Sequence, residues 1–354
     1  DVTYYDKYTR DQIVESELSY LSNYQRVIIN SGKISNKGWE ISVSGVPVKV
    51  KNFEWKTIFN WSKNNSMVES LPEGIDKIQI GSGVYNVKSY AEVGKPYGAI
   101  YAKTFKRDAE GYILCQLDGS PKEGQDYEYL GCVQADWRGG WNNVFRLGNF
   151  SFSVMFDFQK GGKFFSQTSI QSSVDGQSVK SLEGRDADFF SRKILGESDE
   201  ERYGFMRPQN ANTPTANGQI YPDWGRPKGV VLPNCRYDED VEGLAGQQVL
   251  GYCTPERYWM HYTSRDISRF IYDASYVKLR EITVSYDLPK KWLRKTPFQT
   301  FRVAAVGRNI ATLFANTPHG LDPQATSTTG NAQGFERGFN LPSATYGFDI
   351  KVSF

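Results

Sequence analysis

The last nine residues alternate without a break. Tyr346, Phe348, Ile350, Val352 and Phe354 fall on one parity, and Gly347, Asp349, Lys351 and Ser353 on the other. That is the two-residue period of an extended strand with one apolar face. The same pattern recurs upstream. Val2 to Val14 opens the chain as a strand, and a polar stretch through Ile28 to Lys37 leads to a second strand with Trp39, Ile41, Val43 and Gly45 on one face. Pro47 to Asn52 reads as a short turn, after which Phe53, Trp55, Thr57, Phe59 and Trp61 line one face of a third strand. At a tilt near 40° the steps from Phe53 to Trp61 rise roughly 20 Å, close to the apolar band of an outer membrane.

A long polar connection from Lys63 to about Asp136 follows, with a short strand near Ala99 to Phe105. Its run Asp118 to Asp126 has carboxylates too sparse for an EF-hand type of cation loop, so it reads as a turn. Trp141, Asn143, Phe145 and Leu147 alternate next, Gly148-Asn149 turns the chain, and Phe150, Phe152, Val154, Phe156 and Phe158 return opposite Ser151, Ser153, Met155, Asp157 and Gln159. This is the clearest hairpin in the chain. Gly161 to about Arg269 is again long and polar, with a short helix predicted over Asp186 to Ser198. Between Tyr276 and Tyr286 the apolar phase slips. Val277 and Leu279 hold one parity and Ile282, Val284 and Tyr286 the other, which predicts a bulge at Arg280 and Glu281. Asp287 to Pro297 is a basic turn, Phe301, Val303, Ala305 and Gly307 form a seventh strand, and a polar loop from Thr317 to Pro342 precedes the terminal one.

Short connections thus alternate with long ones across eight strands, the order of tight turns and extended loops found in outer-membrane barrels. The expected fold class is all-β: an antiparallel transmembrane β-barrel, with Phe59, Phe152, Val154, Phe156, Phe348 and Ile350 facing lipid and Ser151, Ser153, Asp349 and Lys351 facing the lumen. Counting the strands places Phe354 in the periplasm. Trp39, Trp55, Trp61 and Trp292 suit the interfacial belt.

Composition sharpens this picture. Only 39% of the 354 residues are hydrophobic, but 14% are aromatic, and mean hydropathy is -0.54. No run of eighteen apolar residues exists, so a helical span is excluded, whereas a barrel needs only every second strand residue apolar. A net charge of +2 with mixed signs gives no nucleic-acid footprint. The chain opens without Met, without a basic region and without an apolar leader. An exported protein starting inside a strand is therefore expected to be the C-terminal piece of a longer precursor. Inward residues such as Ser42, Ser44 and Asp157 are small or charged and suit a wide hydrated lumen. Eight strands closed on themselves would make a narrow one, so Val2 to Val14 is expected not to pair with the terminal strand.

Five ordered blocks carry a family resemblance: Asn30-Ser-Gly-Lys-Ile-Ser-Asn-Lys-Gly-Trp-Glu-Ile-Ser42, Gly94-Lys-Pro-Tyr-Gly98, Gly139-Gly-Trp-Asn-Asn143, Ala274-Ser-Tyr-Val-Lys-Leu-Arg-Glu-Ile-Thr-Val-Ser-Tyr-Asp-Leu-Pro289 and Gly307-Arg-Asn-Ile-Ala-Thr-Leu-Phe314. They resemble the C-terminal barrel of SusC/RagA-type TonB-dependent transporters. The resemblance implies a twenty-two-stranded barrel plugged by an N-terminal domain absent from residues 1–354. It further implies a SusD-like surface lipoprotein as lid, and TonB-driven import of oligosaccharides or peptides across the outer membrane, with lipid around the barrel. Where relatives carry an aspartate-rich stretch, this chain has Gln116-Leu-Asp-Gly-Ser-Pro121.

No enzyme or cofactor constellation stands out, since His261 and His319 are isolated and no Gly-x-Ser-x-Gly or Cys-x-x-Cys occurs. Aromatics beside polar groups can stack on sugar faces, which singles out Tyr221, Asp223, Trp224 and Arg226, and Tyr258 with Trp259. Packing between loops or against a lipoprotein explains the same composition. Four cysteines in an exported chain allow disulfides, with Cys115–Cys132 and Cys235–Cys253 as the short-range pairing among three possible ones. Two other classes share the alternation: a free-standing small porin or adhesin, and a soluble carbohydrate-binding β-sandwich.

Overall fold

The computed structural model describes residues 1–17, 26–182, 230–253, 255–318, 320–325, 333–338 and 343–354. The predicted helix over Asp186 to Ser198 lies outside them. In chain order the strands are β1 (Val2–Glu17), β2 (Arg26–Val50), β3 (Phe53–Ser70), β4 (Lys77–Ser82), β5 (Lys88–Glu92), β6 (Ala99–Ala102), β7 (Ile113–Cys115), β8 (Glu128–Cys132), β9 (Trp137–Leu147), β10 (Phe150–Lys160), β11 (Lys163–Ser166), β12 (Val230–Tyr237), β13 (Gln248–Cys253), β14 (Ile271–Asp273), β15 (Tyr276–Asp287), β16 (Thr300–Ala315), β17 (Phe335–Glu336) and β18 (Thr345–Ser353). No helix among the described residues is long and apolar enough to cross a membrane.

Eight of these strands form one sheet in the order β1-β2-β3-β9-β10-β15-β16-β18, every neighbouring pair antiparallel. Register sorts the side chains into rows. Phe53, Leu147, Phe150, Tyr286, Val303 and Ile350 stand opposite one another, and Trp55, Phe145, Phe152, Val284, Ala305 and Phe348 form the next row of the same face. Further along, Phe59 faces Trp141 and Trp141 faces Phe156. Aromatic pairs run across the strands, Trp55 to Phe145 at 5.9 Å and Phe145 to Phe152 at 6.1 Å between ring centroids. The opposite face is polar: Glu54, Lys56, Arg146, Ser151, Ser153 and Glu281 line one hollow of about 390 Å³, and Lys351 pairs with Arg302, Asp349 with Ala304. All ten residues assigned to a face by their alternation lie on the face expected. Phe348 is 86% exposed, and among the described residues no second sheet covers the apolar face, as a soluble sandwich requires.

Two polar side chains in the middle of the apolar face, Thr57 and Asn143, stand opposite each other and are satisfied locally; Thr57 Oγ1 accepts from the Trp141 indole at 2.9 Å. Asn143 is buried, and its Oδ1 accepts a hydrogen bond from the Trp55 indole at 3.0 Å, which removes the cost of an unpaired amide in an apolar setting.

The predicted bulge is present. On β10, Met155 faces Glu281 while Phe156 already faces Leu279, so Arg280 is the extra residue. Arg280 reaches Asp157 on the polar face, and Glu281 faces the same way. The inserted residue keeps both Leu279 and Ile282 on the apolar face without turning a charge toward it.

Other expectations need correction. β2 runs for 25 residues, so Ile28 to Lys37, read as a lead-in, is strand paired with β1. Pro47 does not end β2 either: the ladder shifts between Gly45 and Val48 and the strand resumes to Val50. Proline lacks a donor for the ladder, and a bulge is the place a strand tolerates it.

The long connections are also not independent loops. β7, in the connection after β3, pairs in parallel with β12, in the connection after β10. β11 pairs in parallel with β17 of the connection after β16. β4, β5, β6 and β8 make a further small sheet, tied to the top of β3 by Val68 N–H to Lys95 O at 3.0 Å and Gly94 N–H to Val68 O at 2.8 Å. These unions bury two apolar cores, one around Phe105, Val249 and Trp259 and one around Ile100, Phe165, Ile267 and Phe335.

Glu336 fastens the second core. Its buried carboxylate accepts from Ser166 Oγ at 2.6 Å, Thr168 Oγ1 at 2.7 Å and the Thr168 N–H at 3.1 Å. It thereby caps the N-terminus of the helix Gln167–Val174 from another connection. Glu336→Gln is expected to destabilise this region by about 1–3 kcal/mol, since a buried acceptor loses its charge and its partners lose their match. Faster amide exchange over residues 166–175 would show it; unchanged exchange would refute the clasp.

Candidate functional site: a charged barrel face beneath a folded loop module

The polar face carries a ladder of charges. Near the short turns Arg302 Nε lies 2.7 Å from Asp287 Oδ1 and Arg146 Nη2 3.2 Å from Asp287 Oδ2. Further along, Arg308 Nε is 2.9 Å from Glu281 Oε2. Toward the long connections the network thickens. Lys278 donates to Asp322 Oδ1 at 2.6 Å and to Gln324 Oε1 at 3.0 Å, and Arg280 bridges Asp157 and Gln324. Gln324 Nε2 donates in turn to the Tyr276 hydroxyl at 2.6 Å. Asp322 and Gln324 are thereby pinned to the wall, and the buried Lys278 ammonium has the partners that make its burial tolerable. Sequence reading missed this network. Its signal was the phase slip at Arg280 and Glu281, which marks the place where charges crowd the inner face.

Above the wall, β7, β12 and β13 form a sheet against a wide, π-helical turn at Tyr258–Tyr262, closed by Thr263 N–H to Tyr258 O at 2.9 Å. Here the ligand-contact reading of Tyr258 and Trp259 is overturned: they are 1% and 2% exposed, packed edge to face at 5.1 Å. A side chain with both faces in a core cannot stack on a sugar. Tyr221, Asp223, Trp224 and Arg226 lie outside the described residues. The turn reading at Asp118 holds: Gly119 N–H bonds to Gln116 O at 2.9 Å, and the carboxylate takes Ser120 N–H at 2.9 Å and Arg257 Nη1 at 2.9 Å.

Asp238 is the electrostatic centre of the module. Burial pushes its carboxyl up, but Lys122 Nζ at 2.8 Å and Lys106 Nζ at 2.9 Å more than offset it, lowering the pKa to about 2. An unfolded aspartate titrates near 3.9. The group therefore stabilises the module above about pH 4, and that contribution is lost as pH falls toward 2. Protease resistance of the module should fall over this window, and Asp238→Asn should flatten the fall; an identical profile in the variant would discount the linkage.

The cysteines are arranged otherwise than their spacing suggested. None of the four is joined in a disulfide. Cys115 lies beside Cys235 in the core of the module, and Cys132 belongs to a different sheet. Burial raises Cys253 to about 12, and thiolate is the reactive form. Native labelling with a maleimide should reach the half-buried Cys132 before the buried Cys115, Cys235 and Cys253; equal rates would contradict this packing.

A sheet with one apolar face, one charged face and unpaired outer strands is the wall of a transmembrane β-barrel. No protein-family model matches the chain. It is 24% identical to the TonB-dependent receptor P3 of Formosa agariphila over 365 aligned positions, covering 97% of this chain and 30% of that protein. The TonB-dependent receptor P26 of the same organism is 26% identical over 185 positions, 47% of this chain and 19% of that protein. Among solved structures, a chain of the RagAB peptide transporter matches the whole chain with a TM-score of 0.56 at 15% identity over 33% of its own length. The RagAB peptide importer in its closed-closed state matches with 0.58 at 16%, again over 33% of that chain. The chain is thus similar in sequence to TonB-dependent receptors and in fold to a chain of the RagAB peptide transporter. It spans about a third of the length of the relatives it matches throughout.

Proposed function

We propose that this chain is the C-terminal part of an outer-membrane importer that takes up oligosaccharides or peptides, powered by TonB. A plug domain belongs to the N-terminal part of the whole protein, and a SusD-like lipoprotein lies over the folded connections as a lid. The observation that carries the reading is the open sheet: β1 and β18 are its two outer strands and do not pair with each other. A wall with two free edges calls for further strands, because unpaired backbone groups are not tolerated in lipid. A barrel completed that way is wide enough for a plug and for oligomeric cargo. The charged inner face suits contact with a hydrated plug, and the named relatives are receptors and a peptide transporter.

The test is uptake by cells carrying the full-length receptor with its neighbouring lipoprotein. Labelled oligosaccharides and peptides are supplied with TonB present or deleted. Accumulation of one class that requires both TonB and the lipoprotein is expected. Equal accumulation without TonB would point instead to a passive pore and overturn the reading.

A further inference from the structure

The turn that joins β15 to β16 is unlike the other short turns. Between Asp287 and Thr300 the chain makes one helical turn, Lys290–Leu293, and carries Lys290, Lys291, Arg294 and Lys295 with no acid among them. All four are exposed, and none has an ion-pair partner among the described residues. The acids nearest this rim are engaged elsewhere: Asp287 is held by Arg302 and Arg146, and Glu54 by Lys49 at 2.9 Å. Lys51, at the tip of the β2–β3 turn, adds another exposed cation to the same rim.

Beside these charges stands an aromatic. Trp292 is 60% exposed although Leu293, its neighbour, is buried. Just behind the turn, Phe298 packs on Phe301 at 6.1 Å and on Phe354 at 5.3 Å, and the outward row Phe150, Tyr286, Val303 and Ile350 begins there. The cations therefore sit where the apolar band ends and headgroups begin. Ammonium and guanidinium groups that lack protein partners, next to a Trp at that depth, match a layer of phosphates.

We propose that the turn 288–297 is a docking site for anionic phospholipid headgroups in the leaflet facing the short turns, with Lys290, Lys291, Arg294 and Lys295 binding phosphate and Trp292 seated among the glycerol esters. The proposal rests on the apolar face being in contact with lipid. Neutral phospholipid satisfies the Trp but leaves four cations without counter-charge. An acidic protein would satisfy the cations but would have no use for a Trp beside the apolar band.

The experiment uses the full-length receptor in nanodiscs made from equal parts of phosphatidylglycerol and phosphatidylcholine, followed by detergent release and mass spectrometry of the lipids it retains. Phosphatidylglycerol should be enriched. In K290Q/K291Q/R294Q/K295Q the enrichment should fall by about fivefold or more, while the charge-keeping K290R/K291R variant should retain it. Should the quadruple variant fail to assemble, K290Q/K291Q and R294Q/K295Q separately should each lose part of it, and raising salt to about 0.5 M should weaken it in the unmodified receptor.

Enrichment that survives neutralisation, no enrichment at all, or capture of soluble polyglutamate in preference to the anionic lipid would overturn the proposal. A receptor that stays soluble without detergent and never enters the nanodisc would instead refute the barrel reading beneath it.

Discussion

Val154→Arg is expected to lower the stability of the folded receptor in bilayers by about 2–4 kcal/mol, the cost of a guanidinium facing lipid near mid-height. Ser153→Arg, one residue away, should cost under about 1 kcal/mol, within the range of substitutions at solvated positions. The contrast follows from register. Val154 lies between Asn143 and Ile282, two rows in from the short turns, on the face that carries Phe152 and Phe156. Ser153 opens into the hollow with Lys56, Arg146 and Glu281, where water and opposite charge are at hand. Urea unfolding from vesicles, followed by Trp fluorescence, measures both. Equal losses would mean that the two faces do not differ in environment, and the barrel assignment would fail with them.

Deleting Arg280 should have the larger effect: failure of the wall to assemble. Without the extra residue, one half of β15 must invert. If the β14 side moves, Lys278 turns to lipid at about 2–4 kcal/mol and abandons Asp322 and Gln324. Separating a buried ion pair by itself costs about 3–5 kcal/mol. If the β16 side moves, Glu281, Thr283 and Ser285 face lipid and Ile282 and Val284 face the lumen. Arg280→Ala retains the inserted residue and should still assemble, losing only the contacts to Asp157, Asn309 and Gln324. The folded, heat-modifiable band on an unboiled gel distinguishes the two. A deletion variant that shows this band at full intensity would mean the bulge does not hold the phase.

The sequence by itself determined the wall. All eight strands, the Gly148-Asn149 hairpin and the bulge at Arg280 were legible because a surface with lipid on one side and water on the other imposes its demand on every second residue. Each strand therefore reports its own facing without reference to its neighbours. Even the departures belong to this logic. The stretch from Ile28 to Lys37 hid its strand character where that alternation is weak, and Pro47 was mistaken for an end because a bulge and a turn make the same local request for a residue without a donor.

The tertiary structure alone decided what the connections become. Cys115 meets Cys235, Glu336 meets Ser166 and Thr168, and Lys278 meets Asp322 across separations that no local period encodes. Tyr258 and Trp259 have the composition of a sugar-stacking surface, and only the union of β7, β12 and β13 over them turns that composition into a core. Whether an aromatic faces a ligand or its own protein depends on which distant segments cover it, and that is set by chain closure in space.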